Sequence, residues 1–260
     1  MRALIMGLLA AMLAAPAWAA EEGDCVAATG PVQADFALRQ VAAAIAGKHL
    51  TVSVVGTASS TLPGPDGAAK AYPARLSASL ERQLPGVAVK VFAHTKARDS
   101  AAEMTKTLPE VVAADKPDVV VWQTGTVDAM LGVDPDDFQS ALDDGLDALH
   151  AGKADAVLVN MQYSPRTDSM IALGSYLDAM RYAAMQHQIV LFDRLAVMKN
   201  WNETGIFDLH ADTKSTDVAE RVHDCIGRLL ARLIVDGADL AKASNTGAAS
   251  PDNNQNREIR

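Results

Sequence analysis

Short apolar segments alternate with amphipathic segments through most of the chain. Apolar residues recur three or four positions apart in the amphipathic segments, which predicts helices over Phe36 to Ala46, Tyr72 to Leu84, Ser100 to Ala114, Pro135 to His150 and Ser169 to His187. The apolar segments are the predicted strands: Leu50 to Val55, Val87 to Phe92, Val119 to Gln123, Ala156 to Met161 and Ile189 to Phe192. They are continuously apolar, as expected for strands covered on both faces. This alternation predicts an α/β fold with a mainly parallel sheet.

The C-terminal part of the chain divides into a helix and a polar tail. An apolar stripe from about Thr216 to Val235, with acidic residues at its start, predicts the last helix. Residues 243–260 are polar and rich in Asn, Ser and Gly, so we expect a disordered tail there. No linker-like composition interrupts residues 20–242, which are therefore predicted to form one domain.

The N-terminus has the pattern of a secretory signal peptide. An apolar run from Ala3 to Ala15 follows Arg2, and small residues around Ala17 and Ala19 form a cleavage motif. The run is shorter than the roughly 20 apolar residues that span a bilayer. Residues 1–19 are therefore predicted to be removed, which leaves a periplasmic or secreted protein without a transmembrane anchor.

Charge and cysteine content narrow the function further. The formal net charge is −9 and no basic patch is evident, which argues against a nucleic-acid partner. The two cysteines, Cys25 and Cys225, are predicted to form a disulfide in an oxidising compartment, although a catalytic thiol stays a weaker alternative. Neither a Gly-rich phosphate loop nor metal-ligand spacing is present, so no cofactor or metal site is expected.

Ligands of open parallel sheets bind beyond the carboxyl ends of the strands, so the segments that follow the strands carry the functional argument. Four segments occur in a suggestive order: Gly56-Thr57-Ala58-Ser59-Ser60, Tyr72-Pro73-Ala74-Arg75-Leu76, Val121-Trp122-Gln123-Thr124-Gly125-Thr126-Val127-Asp128 and Gln162-Tyr163-Ser164-Pro165-Arg166. Their order and spacing resemble the block pattern of SGNH (GDSL) hydrolases over nearly the whole mature chain.

This resemblance implies a three-layer flavodoxin-like fold with a central five-stranded parallel sheet. It also implies hydrolysis of carboxylic esters of lipids, of acylated or acetylated carbohydrates, or of thioesters. In that family a serine after the first strand is the nucleophile, and a late Asp-x-x-His supplies the other two members of the triad. The substrate would be a small-molecule or glycan ester, whereas a protein partner stays unspecified.

The positions that would carry this chemistry depart from the family pattern. Register on Gly56 places Ala58 where the nucleophilic serine belongs, and a methyl group cannot attack a carbonyl. Ser59 is the plausible replacement nucleophile, although Ser59 and Ser60 could equally cap a turn.

The oxyanion positions are altered as well. Thr95 replaces the glycine of the second block, and its backbone N–H could still serve. In the third block, which begins at Gly125, Val127 stands where an asparagine amide would stabilise the oxyanion. Loss of one such donor typically costs about 100- to 1000-fold in rate. Asp128 is expected to hydrogen-bond nearby backbone rather than act as an acid.

The base of the triad is the least defined element. Asp208 precedes His210 by two residues instead of three, and these two are the candidate acid and base. Glu220 and His223 have the family spacing, but they lie within the predicted last helix, where His223 is expected to pack or to pair with Asp224 or Glu220. His94 is expected to be a solvated loop residue.

Two functions follow from these observations. The chain is either a modified serine esterase that acts on an acylated or acetylated envelope substrate through Ser59 and His210, or a non-catalytic relative that binds a glycan, lipid or partner in the cleft. The four altered blocks favour the non-catalytic relative, and the resemblance favours the esterase.

Overall fold

The computed structural model describes Cys25, residues 32–210 and residues 215–247. Its sheet has five parallel strands in the order β2-β1-β3-β4-β5. The strands are β1 (His49–Gly56), β2 (Ala88–Thr95), β3 (Val119–Gln123), β4 (Asp155–Val159) and β5 (Val190–Phe192). This is the flavodoxin-like order, and the predicted α/β fold is confirmed.

Helices cover both faces of the sheet. The ten described α-helices are α1 (Arg39–Ala46), α2 (Gly67–Lys70), α3 (Tyr72–Gln83), α4 (Ala101–Asp115), α5 (Thr126–Leu131), α6 (Pro135–Ala151), α7 (Pro165–Met170), α8 (Gly174–Gln186), α9 (Arg194–Glu203) and α10 (Asp217–Gly247). Side chains of α1, α3, α9 and α10 pack on one face, and those of α4, α6 and α8 pack on the other.

The continuously apolar strand segments are explained by these two layers. Val119 and Val121 of β3 belong to the core under α3 and α10, whereas Val120 and Trp122 belong to the core under α4 and α6. Successive side chains of a strand point to opposite faces, so a sheet covered on both sides needs apolar residues at every position.

The predicted disulfide between Cys25 and Cys225 is confirmed, with its two Cα atoms 5.2 Å apart. It joins the segment before α1 to the first half of α10, across 200 positions of the sequence. Cys25 is thereby fixed to the helix that packs beside α3.

Two predicted helix boundaries were wrong. The helix expected over residues 169–187 is two helices, α7 and α8, because Ile171 adopts an extended backbone and Leu173 packs into the core under α8. Helix α10 continues to Gly247, into the segment expected to be a disordered tail. Small residues explain that extension, because Gly237 lets the Leu38 side chain approach closely and Ala238 and Ala241 are buried.

The predicted signal peptide and residues 248–260 of the predicted tail lie outside the described residues. Within the described part of the chain, no helix combines the length and the apolar character that crossing a membrane requires.

Candidate functional site

Four polar side chains meet beyond the carboxyl ends of the central strands. Ser59 follows β1, Gln123 ends β3, Gln162 follows β4, and Arg194 begins α9 directly after β5. Parallel strands place their carboxyl ends at one edge of the sheet, so residues far apart in sequence converge there. This convergence defines the candidate site.

The turn after β1 presents Ala58 and Ser59 differently. Residues Ala58–Ser60 form one 3₁₀ turn, in which Ala58 is exposed, Ser59 is half-buried and Ser60 is buried. Gly56 permits this turn, because a Cβ atom there would collide with Ser60 Oγ and lie 3.1 Å from Gln123 Oε1. The position of the family nucleophile is therefore open to solvent but carries only a methyl group.

One amide oxygen receives most of the donors of this turn. Gln123 Oε1 lies 3.1 Å from the backbone N of Thr57, 3.1 Å from Thr57 Oγ1, 3.1 Å from Ser59 Oγ and 2.9 Å from Ser60 Oγ. A carbonyl oxygen has two lone pairs, so it cannot fully satisfy four donors. Gln123 Nε2 is buried and has no hydrogen-bond partner among the described residues.

Arg194 is a buried cation in this site, with only 1% of its surface exposed. Its Nη1 donates to Ser59 Oγ at 3.3 Å, and its Nη2 donates to Ser59 O at 3.2 Å and to Gln162 Oε1 at 3.0 Å. The guanidinium also lies over the Tyr72 ring, 5.9 Å from its centroid. Burial lowers the pKa of Arg194 to about 10, which leaves it charged at neutral pH.

Tyr72 links this cluster to α10. Its hydroxyl is 2.9 Å from Ser60 Oγ, and its backbone N donates to His223 Nδ1 at 3.0 Å. His223 was expected to pack or to pair with Asp224 or Glu220. It is buried with its ring 5.8 Å from that of Tyr72, and it bonds to the start of α3. Burial, together with the charge of Arg194, lowers the pKa of His223 to about 3, so the ring is neutral at physiological pH.

The predicted base, His210, and the predicted acid, Asp208, form no hydrogen bond with Ser59 among the described residues. Asp208 and His210 are both exposed, and Asp208 Oδ1 accepts the backbone N–H of His210 at 3.0 Å. Among the described residues, Ser59 Oγ bonds to Gln123, Arg194 and Thr57 and to no imidazole. The pair is thus an Asx-type turn in its present geometry, and its role in catalysis stays a prediction.

The third-block residues surround the start of α5. Gly125 is buried with a φ of 94°, a conformation that suits glycine, and a Cβ there would lie 2.8 Å from Met161 Sδ. Val127 is half-buried. The buried Asp128 accepts the backbone N–H of Ala101 through both carboxylate oxygens, at 2.9 and 3.2 Å, as expected for a structural role. Burial raises its pKa despite these bonds.

The second-block residues lie in β2 rather than in a loop. Thr95 is exposed and pairs in register with Gly56. His94 was expected to be a solvated loop residue. It lies in β2 and not in a loop, and its side chain is 38% exposed. Its Nε2 lies 2.5 Å from Asp115 Oδ2, which also accepts Ser53 Oγ at 2.7 Å. The strand continues to Thr95, where its backbone is still paired in register with Gly56 of β1.

Comparison with protein-family models matches residues 24–240 to the non-GDSL lipase-like family. The chain belongs to this non-GDSL lipase-like family. The family description agrees with the sequence, since Gly56-Thr57-Ala58 stands where Gly-Asp-Ser would occur. The resemblance to SGNH hydrolases is thereby confirmed.

Solved structures show that this non-GDSL lipase-like chain has the SGNH esterase fold. It matches TesA with a TM-score of 0.55 and 21% identity, over 70% of this chain and 99% of that chain. An acetylxylan esterase from Geobacillus stearothermophilus, Axe2, matches with a TM-score of 0.57 and 16% identity, over 71% of this chain and 94% of that chain. A psychrotrophic esterase from Pseudoalteromonas, EstA, matches with a TM-score of 0.54 and 13% identity, over 75% of this chain and 98% of that chain. No curated protein sequence matches the chain.

Sequence reasoning missed Gln123, Gln162 and Arg194 as members of the site of this non-GDSL lipase-like protein. Arg194 carried a usable signal, because it stands two positions after the last predicted strand and so had to lie near the carboxyl edge. Gln123 was a polar residue at the end of an otherwise apolar strand, which is a similar signal. In the described part of the chain, no group of three or more His, Cys, Asp or Glu side chains could hold a metal ion.

Proposed function

We propose that this protein is an exported SGNH-fold binding protein whose cleft holds a small-molecule or glycan ligand without cleaving it by a serine triad. The observation that supports this proposal best is the environment of Ser59. Its hydroxyl bonds to Arg194 and Gln123, where a nucleophile would bond to an imidazole.

Proton transfer is the step that the described geometry does not provide. A serine hydroxyl must lose its proton to a general base, and a charged guanidinium has only protons to donate. The buried His223 uses Nδ1 to accept the Tyr72 N–H, and its low pKa makes it a weak base. Val127 adds a second deficit, because loss of an oxyanion donor alone costs about 3 to 4 kcal/mol of transition-state stabilisation.

Ester hydrolysis by Ser59 is the second candidate function, and one observation favours it. Ser59 is half-buried at the end of β1, and Arg194 Nη1 lies 3.3 Å from its hydroxyl oxygen. A cation at that distance would stabilise an alkoxide. This hypothesis needs His210 or another base to reach Ser59.

Export is supported by the N-terminal pattern and by the disulfide. Disulfides persist in oxidising compartments, and the Cys25–Cys225 bond joins the segment next to the predicted cleavage site to α10. The ligand would therefore be an envelope or extracellular molecule, and esters of glycans or lipids are the class that the esterase fold suggests.

The deciding experiment is p-nitrophenyl acetate hydrolysis by the purified mature chain, by Ser59→Ala and by Ala58→Ser/Val127→Asn. We expect equal, near-background rates for the wild type and Ser59→Ala. Robust wild-type turnover that Ser59→Ala abolishes would establish the esterase and overturn the binding proposal. A gain in the double variant would show that the cleft still accepts an ester.

A further inference from the structure

The candidate site contains more hydrogen-bond donors than acceptors. We call this set the donor cluster, and it consists of Thr57, Ser59, Ser60, Gln123 and Arg194. A buried polar group without a partner costs free energy, so such groups are rare in folded proteins and call for an explanation. The balance of donors and acceptors therefore indicates what chemistry a ligand must bring.

Gln123 shows the surplus on one side of the cluster. Its Oε1 is the shared acceptor for the Thr57 N–H and for three hydroxyl groups. The Thr57 N–H can only donate, so it occupies one of the two lone pairs and fixes the orientation of the amide. The hydroxyls of Thr57, Ser59 and Ser60 then compete for the other lone pair. Ser60 can turn to Tyr72 Oη, and Thr57 Oγ1 lies 3.4 Å from Ser59 Oγ, so one of these two hydroxyls can donate to Gln123 and the other to its neighbour. The donor in excess on this side is Gln123 Nε2, which is buried without a hydrogen-bond partner among the described residues.

Arg194 shows the surplus on the other side. A guanidinium has five N–H donors, and the partners of Arg194 are a hydroxyl, a backbone carbonyl, an amide carbonyl and an aromatic ring, all of them neutral. Among the described residues, Arg194 Nε is buried without a hydrogen-bond partner, and no carboxylate forms an ion pair with the guanidinium. A buried charge is usually paired, because its desolvation is costly.

The donor surplus lies next to solvent. Ala58 is exposed and Ser59 is half-buried, and Ser59 Oγ lies 3.3 Å from Arg194 Nη1. A ligand that reaches the Ser59 hydroxyl therefore meets a group that already accepts an N–H of Arg194.

We propose that the donor cluster binds an anionic oxygen group of the ligand, a carboxylate or a phosphate, through Ser59 Oγ and the Arg194 guanidinium. An acceptor-only group with two or three oxygens supplies what the cluster lacks, and a charge-assisted bond to arginine is among the stronger hydrogen bonds of proteins. This inference rests on the proposed function, since it names the chemistry of the ligand that the cleft holds.

Thermal unfolding of the mature chain, with sodium acetate or sodium phosphate titrated against sodium chloride at fixed ionic strength, tests the proposal. Acetamide, which has nearly the shape of acetate but no charge, is the matched control. We expect a saturable rise in Tm with at least one anion and none with acetamide. The two anion arms distinguish a carboxylate site from a phosphate site.

Two variants locate the response. Arg194→Gln is expected to weaken anion binding by about 10- to 100-fold, since it removes charge-assisted hydrogen bonds. Arg232→Gln, an exposed arginine on α10 that pairs with Asp236, is the control and should respond like the wild type. Ser59→Asp supplies a carboxylate beside Arg194 within the chain, so it should remain folded and lose the response, even if Arg194→Gln fails to fold.

A wild type without a saturable response to either anion, or an Arg194→Gln or Ser59→Asp protein that responds like the wild type, would overturn the anion site. This readout uses no ester. Failure of the anion site is therefore distinct from failure of the binding proposal, which the hydrolysis assay reports.

Discussion

The two edges of the sheet, where the strands begin and where they end, differ in how their charged side chains are paired. At the edge where the strands begin, Asp118 Oδ2 accepts the Thr51 N–H at 2.8 Å, and Asp155 Oδ2 accepts the Val41 N–H at 3.0 Å. At the edge where the strands end, Arg194 is buried against neutral groups only, and Gln123 and Arg194 each keep an unpartnered N–H group among the described residues.

This difference distinguishes side chains that stabilise the fold from side chains that are expected to serve a ligand. The carboxylates at the amino edge bind backbone N–H groups of β1 and α1, so they connect elements that must pack together. The donors at the carboxyl edge exceed their acceptors, and such local imbalance is expected where a protein has been shaped for a ligand rather than for stability.

The largest loss of stability is expected on removal of the Cys25–Cys225 disulfide, which lies at neither edge of the sheet. Its size provides a scale for the other predicted losses. Closing a loop of 200 residues contributes about 5 kcal/mol in the chain-entropy model. The Cys25→Ser/Cys225→Ser variant should lose stability of that order in urea unfolding. Its response to acetate or phosphate should match that of the wild type, and loss of that response would mean that the disulfide also shapes the carboxyl edge.

A comparison of one substitution at each edge tests the contrast directly. Asp118→Ala leaves the Thr51 N–H without its acceptor, which should cost about 1 to 3 kcal/mol in guanidinium unfolding. Arg194→Met should cost less, because it removes a buried charge that has no counter-charge among the described residues. A larger loss for Arg194→Met would show that Arg194 is mainly a structural tie between α9 and the turn after β1.

The pH dependence of stability tests the amino edge. Burial raises the pKa of Asp155 from 3.8 to about 6, against the effect of backbone hydrogen bonds from α1. A raised pKa means that the folded state holds the proton more tightly, so this contribution is present below pH 3.8 and is lost as the pH rises through about 6. Asp155→Asn should flatten that part of the Tm profile. An unchanged slope between these pH values would refute this role of Asp155.

The smallest effect is expected at Ser59. Its hydroxyl is one of four donors to Gln123 Oε1, so its loss relieves competition there while it removes one bond from Arg194. We expect Ser59→Ala to change the free energy of unfolding by less than about 0.5 kcal/mol. Ser60→Ala, which removes a buried hydroxyl that also contacts Tyr72 Oη, should cost more. A larger loss of stability for Ser59→Ala than for Ser60→Ala would show that the hydrogen bonds of Ser59 are the ones that stabilise the fold.

The sheet and its covering helices could be predicted from sequence because their signal is local. Val119–Gln123 was bounded correctly, since apolar β-rich residues fill both faces of a doubly covered strand. The end of α10 could not be predicted in this way. Its last turns are fixed by contact between Gly237 and Leu38, which are distant in sequence, and not by an apolar stripe.

The site was only partly predictable for the same reason. The absence of a serine at Ala58 and of an asparagine at Val127 follows from register alone. The role of Arg194 depends on where α9 begins relative to the turn after β1, and the burial of His223 depends on how α10 packs on α3. Neither relation leaves a local pattern in the sequence.

The central claim is that the carboxyl edge binds its ligand without a nucleophilic serine, and intact-mass measurement after incubation with a p-nitrophenyl phosphonate ester tests it most directly. An active serine esterase treated in parallel gives the expected mass increase of one phosphonyl group. We predict that the wild-type chain keeps its unmodified mass. A stoichiometric adduct that maps to Ser59 and is absent in Ser59→Ala would contradict the account.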